Sequence, residues 1–335
     1  MNLEKFVNLT IPTLENEMKA LIEESLNSDS RILKDIFIYH LGLDKKMEAR
    51  GKRIRPLLVL LTTHAAGTDW KKSLPAAVAV EFLHNFSLIH DDVEDQSDLR
   101  HGRPTVWSKW GTAQAINAGD GMYTLVFQAI HGLIKCNSQE ITLAAGDLIT
   151  RACMQLVEGQ INDMAFESRE EITIDDYWMM IDGKTAALLA CSAQLGGLIG
   201  GLDQKKQEIL SLFGKKLGRV FQIQDDLLGI WGNPEDTGKS IDSDLINHKQ
   251  TLPVIYGLQM SLRFKDRWHQ GKIKKTEITL LSDLLKQDGV YARVQSESDN
   301  INIEVDKLLV NLNLPKAEGI NMLRELLSRL RERNH

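Results

Sequence analysis

The sequence predicts an all-α protein, organised as one domain over residues 1–335 with roughly ten or more helices. Three observations predict it. Apolar residues recur at helical spacing over long stretches, and alternating runs of β-branched residues are few. Proline is scarce, with seven in 335 residues, so few helix interiors are interrupted. Breakers fall in compact groups between the periodic stretches: Gly67-Thr68-Asp69, Gly102 to Pro104, and Gly232 to Gly238 around Asn233-Pro234.

The elements follow in chain order. Gly51-Lys52-Arg53-Ile54-Arg55-Pro56 opens an apolar helix carrying Leu57, Leu58, Leu60 and Leu61. A second helix carries Phe82, Leu83, Phe86, Leu88 and Ile89 and runs into Asp91-Asp92-Val93-Glu94-Asp95. From Ala186 to Leu202 no residue is charged, yet the stretch contains Ser192, Gln194 and four glycines. It is also short for a bilayer span of about 20 residues. It reads as a buried helix packed closely through small residues. Phe221 to Ile230 is helical around Asp225 and Asp226, and Asn321 to Arg333 forms an amphipathic helix with a basic end.

Composition bounds the function. With 43% apolar and 26% charged residues the chain can bury a large core, so disorder is not the default. A net charge of -6 argues against binding nucleic acid through bulk electrostatics. Cys136, Cys153 and Cys191 are odd in number and form no CxxC pair, which argues against a disulfide framework and a structural zinc site. Free thiols suit a reducing cytosol. The opening MNLEKFVNLT has no apolar core of a secretory signal. The expectation is a cytoplasmic protein with no membrane span.

Two acidic clusters carry the chemistry. On a helix, Asp91 and Asp95 share a face with Asp92 beside them. Like charges at that spacing repel, so either solvent or a cation must offset them. Mg²⁺ does so well, taking one or two carboxylates while substrate phosphates and water complete its shell. Asp225 and Asp226 sit inside an otherwise apolar segment, where charges are seldom buried unless paired or metal-bound. Either cluster alone is as consistent with a solvated face. Two of them, each flanked by core residues, are better explained by one shared metal site.

Basic groups accompany both clusters. Lys52, Arg53 and Arg55 precede the first, and Arg100, His101 and Arg103 follow it. Lys184-Thr185 adjoins the small-residue helix, and Lys239 and Lys249 follow the second cluster. Any one of these alone is an ordinary surface cation; the set, placed beside each acidic element, reads as a site for diphosphates. His84 lies seven residues before Asp91, about two turns away on the same face. A lone histidine is more often structural than a ligand.

In combination these motifs resemble the trans-isoprenyl diphosphate synthases, or polyprenyl synthetases. The resemblance runs from about residue 45 to about residue 255. GKRIRP at 51–56, EFLHNFSLIHDDVED at 81–95, DLRHGRPT at 98–105 and AGDGMY at 118–123 match in order. EGQINDM at 158–164, GKT at 183–185, FQIQDDLLGIWG at 221–232 and the later GK and HKQTLP elements complete the series. The resemblance implies a helical bundle with a central cavity, usually a homodimer, with the two aspartate clusters facing each other across the cavity mouth. It implies roughly three Mg²⁺ ions, replaceable by Mn²⁺, bound by Asp91, Asp92, Asp95, Asp225 and Asp226. Lys52, Arg55 and His84 match positions that hold isopentenyl diphosphate, with His101 beside them. Arg100, Lys184, Gln222, Lys239 and Lys249 match positions that hold an allylic diphosphate (dimethylallyl, geranyl or farnesyl). Lys184, Thr185 and Gln222 match the catalytic positions near the reacting carbons. Two positions depart from the family pattern. His101 stands where a second arginine is common, and a neutral imidazole holds a diphosphate less strongly. Gly229 stands where some members have a third aspartate.

The implied reaction is head-to-tail condensation by ionisation, condensation and elimination, and it needs no side-chain nucleophile. Phe86 lies five residues before Asp91, about 7.5 Å down the helix. In the family one aromatic there, followed by a small residue such as Ser87, leans toward a C20 product, geranylgeranyl diphosphate, with C15 and C25 as neighbours. Plain core packing is the simpler role for Phe86. Two rivals explain less. A terpene cyclase would lack the basic set at Lys52 and Arg55 and would replace the second aspartate pair. A non-catalytic subunit of a heteromeric synthase tends to lose one acidic motif, and both are present.

Overall fold

A computed structural model describes residues 1–44, 51–232 and 243–331. The expected all-α class is borne out: among the described residues, the sheet content is a single two-stranded hairpin. In chain order the elements are α1 (Leu3–Ser25), α2 (Arg31–His40), α3 (Ile54–Ala65) and α4 (Leu74–Glu94), then strands β1 (Leu99–Arg100) and β2 (Arg103–Pro104). Helices α5 (Val106–Trp110), α6 (Thr112–His131), α7 (Gln139–Phe166) and α8 (Ile174–Ile181) follow. A π-helical turn, Asp182–Ala186, leads into α9 (Ala187–Ile199) and α10 (Gln204–Trp231). The remainder comprises α11 (Ser243–Ile246), α12 (Leu252–Met260), α13 (Leu262–Trp268), α14 (Ile278–Gln287), α15 (Val290–Leu312) and α16 (Ala317–Arg331).

The chain divides into two compact units. One comprises Met1–Cys153, Leu188–Ser211 and Asn313–Leu323; the other comprises Met154–Ala187, Leu212–Leu312 and Arg324–His335. In the first, α4 is the central element and packs most extensively along α6. Its sequence explains its form: Pro75 lies in the first turn, where a missing N–H costs nothing, and Ala76, Ala77 and Ala79 are strong helix formers. Phe82, Leu83 and Ile89 are fully buried, each contributing about 1.5–3 kcal/mol over an exposed position. The leucines of α3 are buried as their periodicity predicts.

The small-residue helix also follows expectation. A Cβ added at Gly196 of α9 would lie 2.5 Å from the Val59 carbonyl oxygen of α3, so the glycine permits helix contact that no larger residue would. Among the described residues no helix is long and apolar enough to cross a membrane. The last helix begins at Ala317, four residues before the sequence suggests, and buries Leu323, Leu326, Leu327 and Leu330.

In the second unit, α12 packs on α15, and its core includes Val254, Ile255, Val294 and Val305. Tyr177 of α8 and Phe213 of α10 are also fully enclosed. Thr173 starts α8 with a reciprocal capping box to Asp176, which satisfies two backbone donors at the helix entrance.

Candidate active site

The first acidic motif occupies the last turn of α4. Negative charge at a helix C-terminus opposes the helix dipole, so this placement needs a nearby cation. Arg100 supplies one. Its Nε donates to both carboxylate oxygens of Asp92 at 3.0 Å, and its Nη2 donates to Oδ1 at 2.7 Å. The Asp92 side chain is 1% exposed, whereas Asp91 is half-buried and Asp95 exposed. Burial raises the Asp92 carboxyl above the ordinary range, against the opposing hydrogen bonds from Arg100.

Arg100 reaches Asp92 because the intervening chain makes a tight hairpin. Leu99 pairs with Pro104 and Arg100 with Arg103. The two turn residues, His101 and Gly102, have φ of 51° and 71°. Positive φ at both central positions is what a two-residue hairpin turn needs, and histidine tolerates it better than most residues. His101 therefore has a backbone role besides any contact with a diphosphate.

The basic segment before α3 splits in two directions. Arg55 is half-buried and its Nη1 lies 3.1 Å from Nε2 of His84 on α4. Burial and the Arg55 charge hold His84 well below the ordinary histidine value, so the ring is neutral at neutral pH. Lys52 is exposed. Arg53, between them, is buried and pairs with Glu81 of α4. Below this set on α4, the Phe86 ring lies 5.0 Å from His90 and 5.0 Å from Tyr123 of α6, and Tyr123 lies 5.1 Å from Phe127. Ser87 is buried and donates to the His84 carbonyl at 2.8 Å.

In the second unit the predicted residues form a connected chain. Thr185 Oγ1 donates to Gln222 Oε1 at 3.0 Å, and Gln222 Nε2 donates to Asp226 Oδ1 at 2.9 Å. Asp226 Oδ2 accepts from the Tyr177 hydroxyl at 2.7 Å and from the Leu252 backbone N–H at 2.9 Å. Burial pushes the Asp226 carboxyl up to about 7 although these donors favour its charged form. Lys184 sits on the π-helical turn and pairs with Asp163 of α7. That turn lies close against α7. A Cβ at Gly159 would collide with the Lys184 backbone nitrogen, and one at Gly183 would lie 2.6 Å from the Gln155 carbonyl oxygen. Lys249 lies between α11 and α12 and is half-buried. Lys239 lies outside the described residues.

The donor set suits a hard divalent cation. Among the described residues no three acidic, histidine or cysteine side chains form a ready-made cage. Magnesium does not need one, because it keeps waters and substrate oxygens around one or two carboxylates. Asp91 and Asp95 offer such oxygens one turn apart. A carboxylate has about four lone-pair sites, and three are used on Asp226, which leaves Oδ1 able to accept one more partner.

The polyprenyl synthetase family matches residues 39–279, most of the chain and all of the predicted site residues. The chain belongs to this family. A Mycobacterium tuberculosis protein named (2E,6E)-farnesyl diphosphate synthase is 44% identical over 229 residues, covering 67% of this chain and 63% of that protein. The chain thus spans less than two thirds of that relative's length. A Methanosarcina mazei geranylgeranyl diphosphate synthase is 40% identical over 218 residues, covering 65% of this chain and 66% of that protein. The crystal structure of geranylgeranyl pyrophosphate synthetase from Pyrococcus horikoshii Ot3 is 31% identical, covers 98% of both chains and superposes with a TM-score of 0.88. Proteins of the polyprenyl synthetase family use a divalent metal.

Some features of the candidate site had little or no sequence signal. Tyr177 touches Asp226 from 49 positions away, and nothing in its local sequence marks it; Asp163 lies in the EGQINDM motif, but its pairing with Lys184, 21 positions on, had no signal. Gly229 had a signal that pointed only to a loss. A Cβ there would collide with a carboxylate oxygen of Asp244 on α11, so a carboxylate from another element fills the space above the glycine.

Proposed function

We propose that the protein is a trans-prenyltransferase that condenses isopentenyl diphosphate with an allylic diphosphate, head to tail, and makes geranylgeranyl diphosphate. The observation that carries this reading is the retention of both aspartate pairs together with the basic set, in family order, on a helical frame. The family match runs through residues of both compact units, which supports treating 1–335 as one catalytic domain.

Asp91, Asp92, Asp95, Asp225 and Asp226 would hold roughly three Mg²⁺ ions, or Mn²⁺ in their place. Bound there, the metal supplies Lewis-acid stabilisation of charge on the departing diphosphate. The chain's own residues do the rest. Arg100, Lys184, Lys239 and Lys249 bind the allylic diphosphate, and Lys52, Arg55, His84 and His101 bind isopentenyl diphosphate. Arg100 is positioned to exchange one anionic partner for another, since its guanidinium already grips Asp92. The neutral His84 ring can donate one N–H without adding charge. Thr185 and Gln222 form a fixed polar pair that would orient the reacting end of the allylic chain, so orientation lowers the barrier to carbon–carbon bond formation. Released diphosphate is the base for the final proton.

Phe86, backed by Tyr123 and followed by the small Ser87, would limit chain growth and favours the C20 product. The farnesyl diphosphate synthase relative at 44% identity supports C15 as the second reading, with C25 beyond it. A homodimer is the proposed assembly: α6 and the first half of α7 expose Ile116, Phe127 and Leu143, which a second copy would cover. The three free cysteines support a cytoplasmic site of action. The test is to incubate purified protein with labelled isopentenyl diphosphate, each allylic primer and Mg²⁺, then size the products. A dominant C20 product is expected, and no elongation from any primer would defeat the reading.

A further inference from the structure

We infer that Arg53 is a positioning residue for the isopentenyl-diphosphate half of the site, tying three helices to the segment that presents Lys52 and Arg55. This rests on the proposed synthase reading. Arg53 is 6% exposed, and its guanidinium lies between two acidic residues that are themselves buried, Glu15 at 5% and Glu81 at 4%. Its Nη1 donates to Glu81 of α4, its Nη2 donates to the Leu41 carbonyl at the C-terminal cap of α2, and its Nε lies 3.8 Å from Glu15 of α1. Only arginine carries a fork of donors that can serve Glu81 and the Leu41 carbonyl together while keeping its charge beside Glu15.

The backbone supports a role for the side chain. Arg53 has φ of 47°, immediately before Ile54 begins α3. A glycine would adopt that conformation without strain, so an arginine there has a use beyond the turn. That use is visible in the register along α4. Glu81 and His84 are three residues apart and share a face. Glu81 receives Arg53, and His84 receives Arg55 at 3.1 Å. Asn85 Nδ2 donates to Glu81 Oε1 at 2.8 Å and fixes that carboxylate in turn. Docking Arg53 onto Glu81 therefore sets where Lys52, one position before it, and Arg55, two positions after it, can reach. Arg53 is buried with its guanidinium turned to Glu81 and Leu41, so it acts through Lys52, Arg55 and His84.

The test is steady-state kinetics on the full chain, with each substrate varied at saturating levels of the other. Arg53→Lys and Glu81→Gln are compared with wild type; the second keeps size and an acceptor oxygen and so guards against a folding failure in the first. The expected result is a rise of about tenfold in KM for isopentenyl diphosphate, with KM for the allylic diphosphate held within about twofold. A purely structural role would move both KM values and the melting temperature together. Parallel changes in the two KM values, or no change in either in a folded variant, overturn the inference. Failure of the wild type to elongate any primer defeats the synthase reading itself and removes this inference with it.

Discussion

Replacing Asp226 by asparagine should make the protein more stable at neutral pH while abolishing the proposed synthase activity. Burial holds the Asp226 carboxyl at about 7, against an ordinary 3.8. The folded state therefore keeps a proton that the unfolded chain has released between about pH 4 and pH 7. The stability associated with this group is complete below the unfolded value and is lost as pH rises through the folded one. At 1.36 kcal/mol per pH unit the whole loss is roughly 4 kcal/mol. Asparagine does not titrate. It does place an amide opposite the Gln222 Nε2 donor, a mismatch of about 1–2 kcal/mol at every pH. The stability of the variant relative to wild type should thus begin slightly negative near pH 4. It should rise by about 1.4 kcal/mol per pH unit and level off near pH 8. Urea unfolding followed by circular dichroism, without divalent cations, measures both proteins across this range. A relative stability that stays constant from pH 4 to pH 8 would refute the reasoning, because it would mean that Asp226 is charged throughout.

Three other substitutions test separate parts of the site. Phe86→Ala removes the ring that meets His90 and Tyr123, and chromatography of the products should show chains at least one isoprene unit longer; an unchanged distribution would return Phe86 to plain packing. Arg100→Gln leaves the Asp92 carboxylate buried without its cation, and should cost about 2 kcal/mol in urea unfolding at pH 7, below the 3–5 kcal/mol of a fully buried pair because Arg100 is 31% exposed. Gly159→Ala drives a methyl group into the Lys184 backbone, so it should destabilise by about 1–3 kcal/mol and lower kcat. Loss of neither stability nor kcat in that variant would mean that the turn yields easily.

The helices were legible because their burial follows a simple period: the leucines of α3 and the apolar run of α4 need no partner to be recognised. The two aspartate pairs were legible because charge inside an apolar run is a local contradiction. What escaped was set by contacts distant along the chain. Glu15 and Glu81 look like ordinary helical acids, and only the fold places Arg53 between them. His101 reads as a weakened arginine until the hairpin shows that its position needs a positive φ. Gly229 reads as a missing carboxylate until Asp244 is found above it, fifteen residues further on.

The π-helical turn at Asp182–Ala186 has a consequence for what length changes the chain can accept. A wider turn holds one residue more than the regular helix around it. Removing one residue there would restore ordinary hydrogen bonding and relieve whatever cost the irregular turn carries. The helix on either side would stay in phase, but the residues inside the turn itself would shift position. Lys184 and Thr185, now aimed at Asp163 and Gln222, could not both keep those partners. The segment is therefore fixed in residue number as well as in identity at Gly183, Lys184 and Thr185.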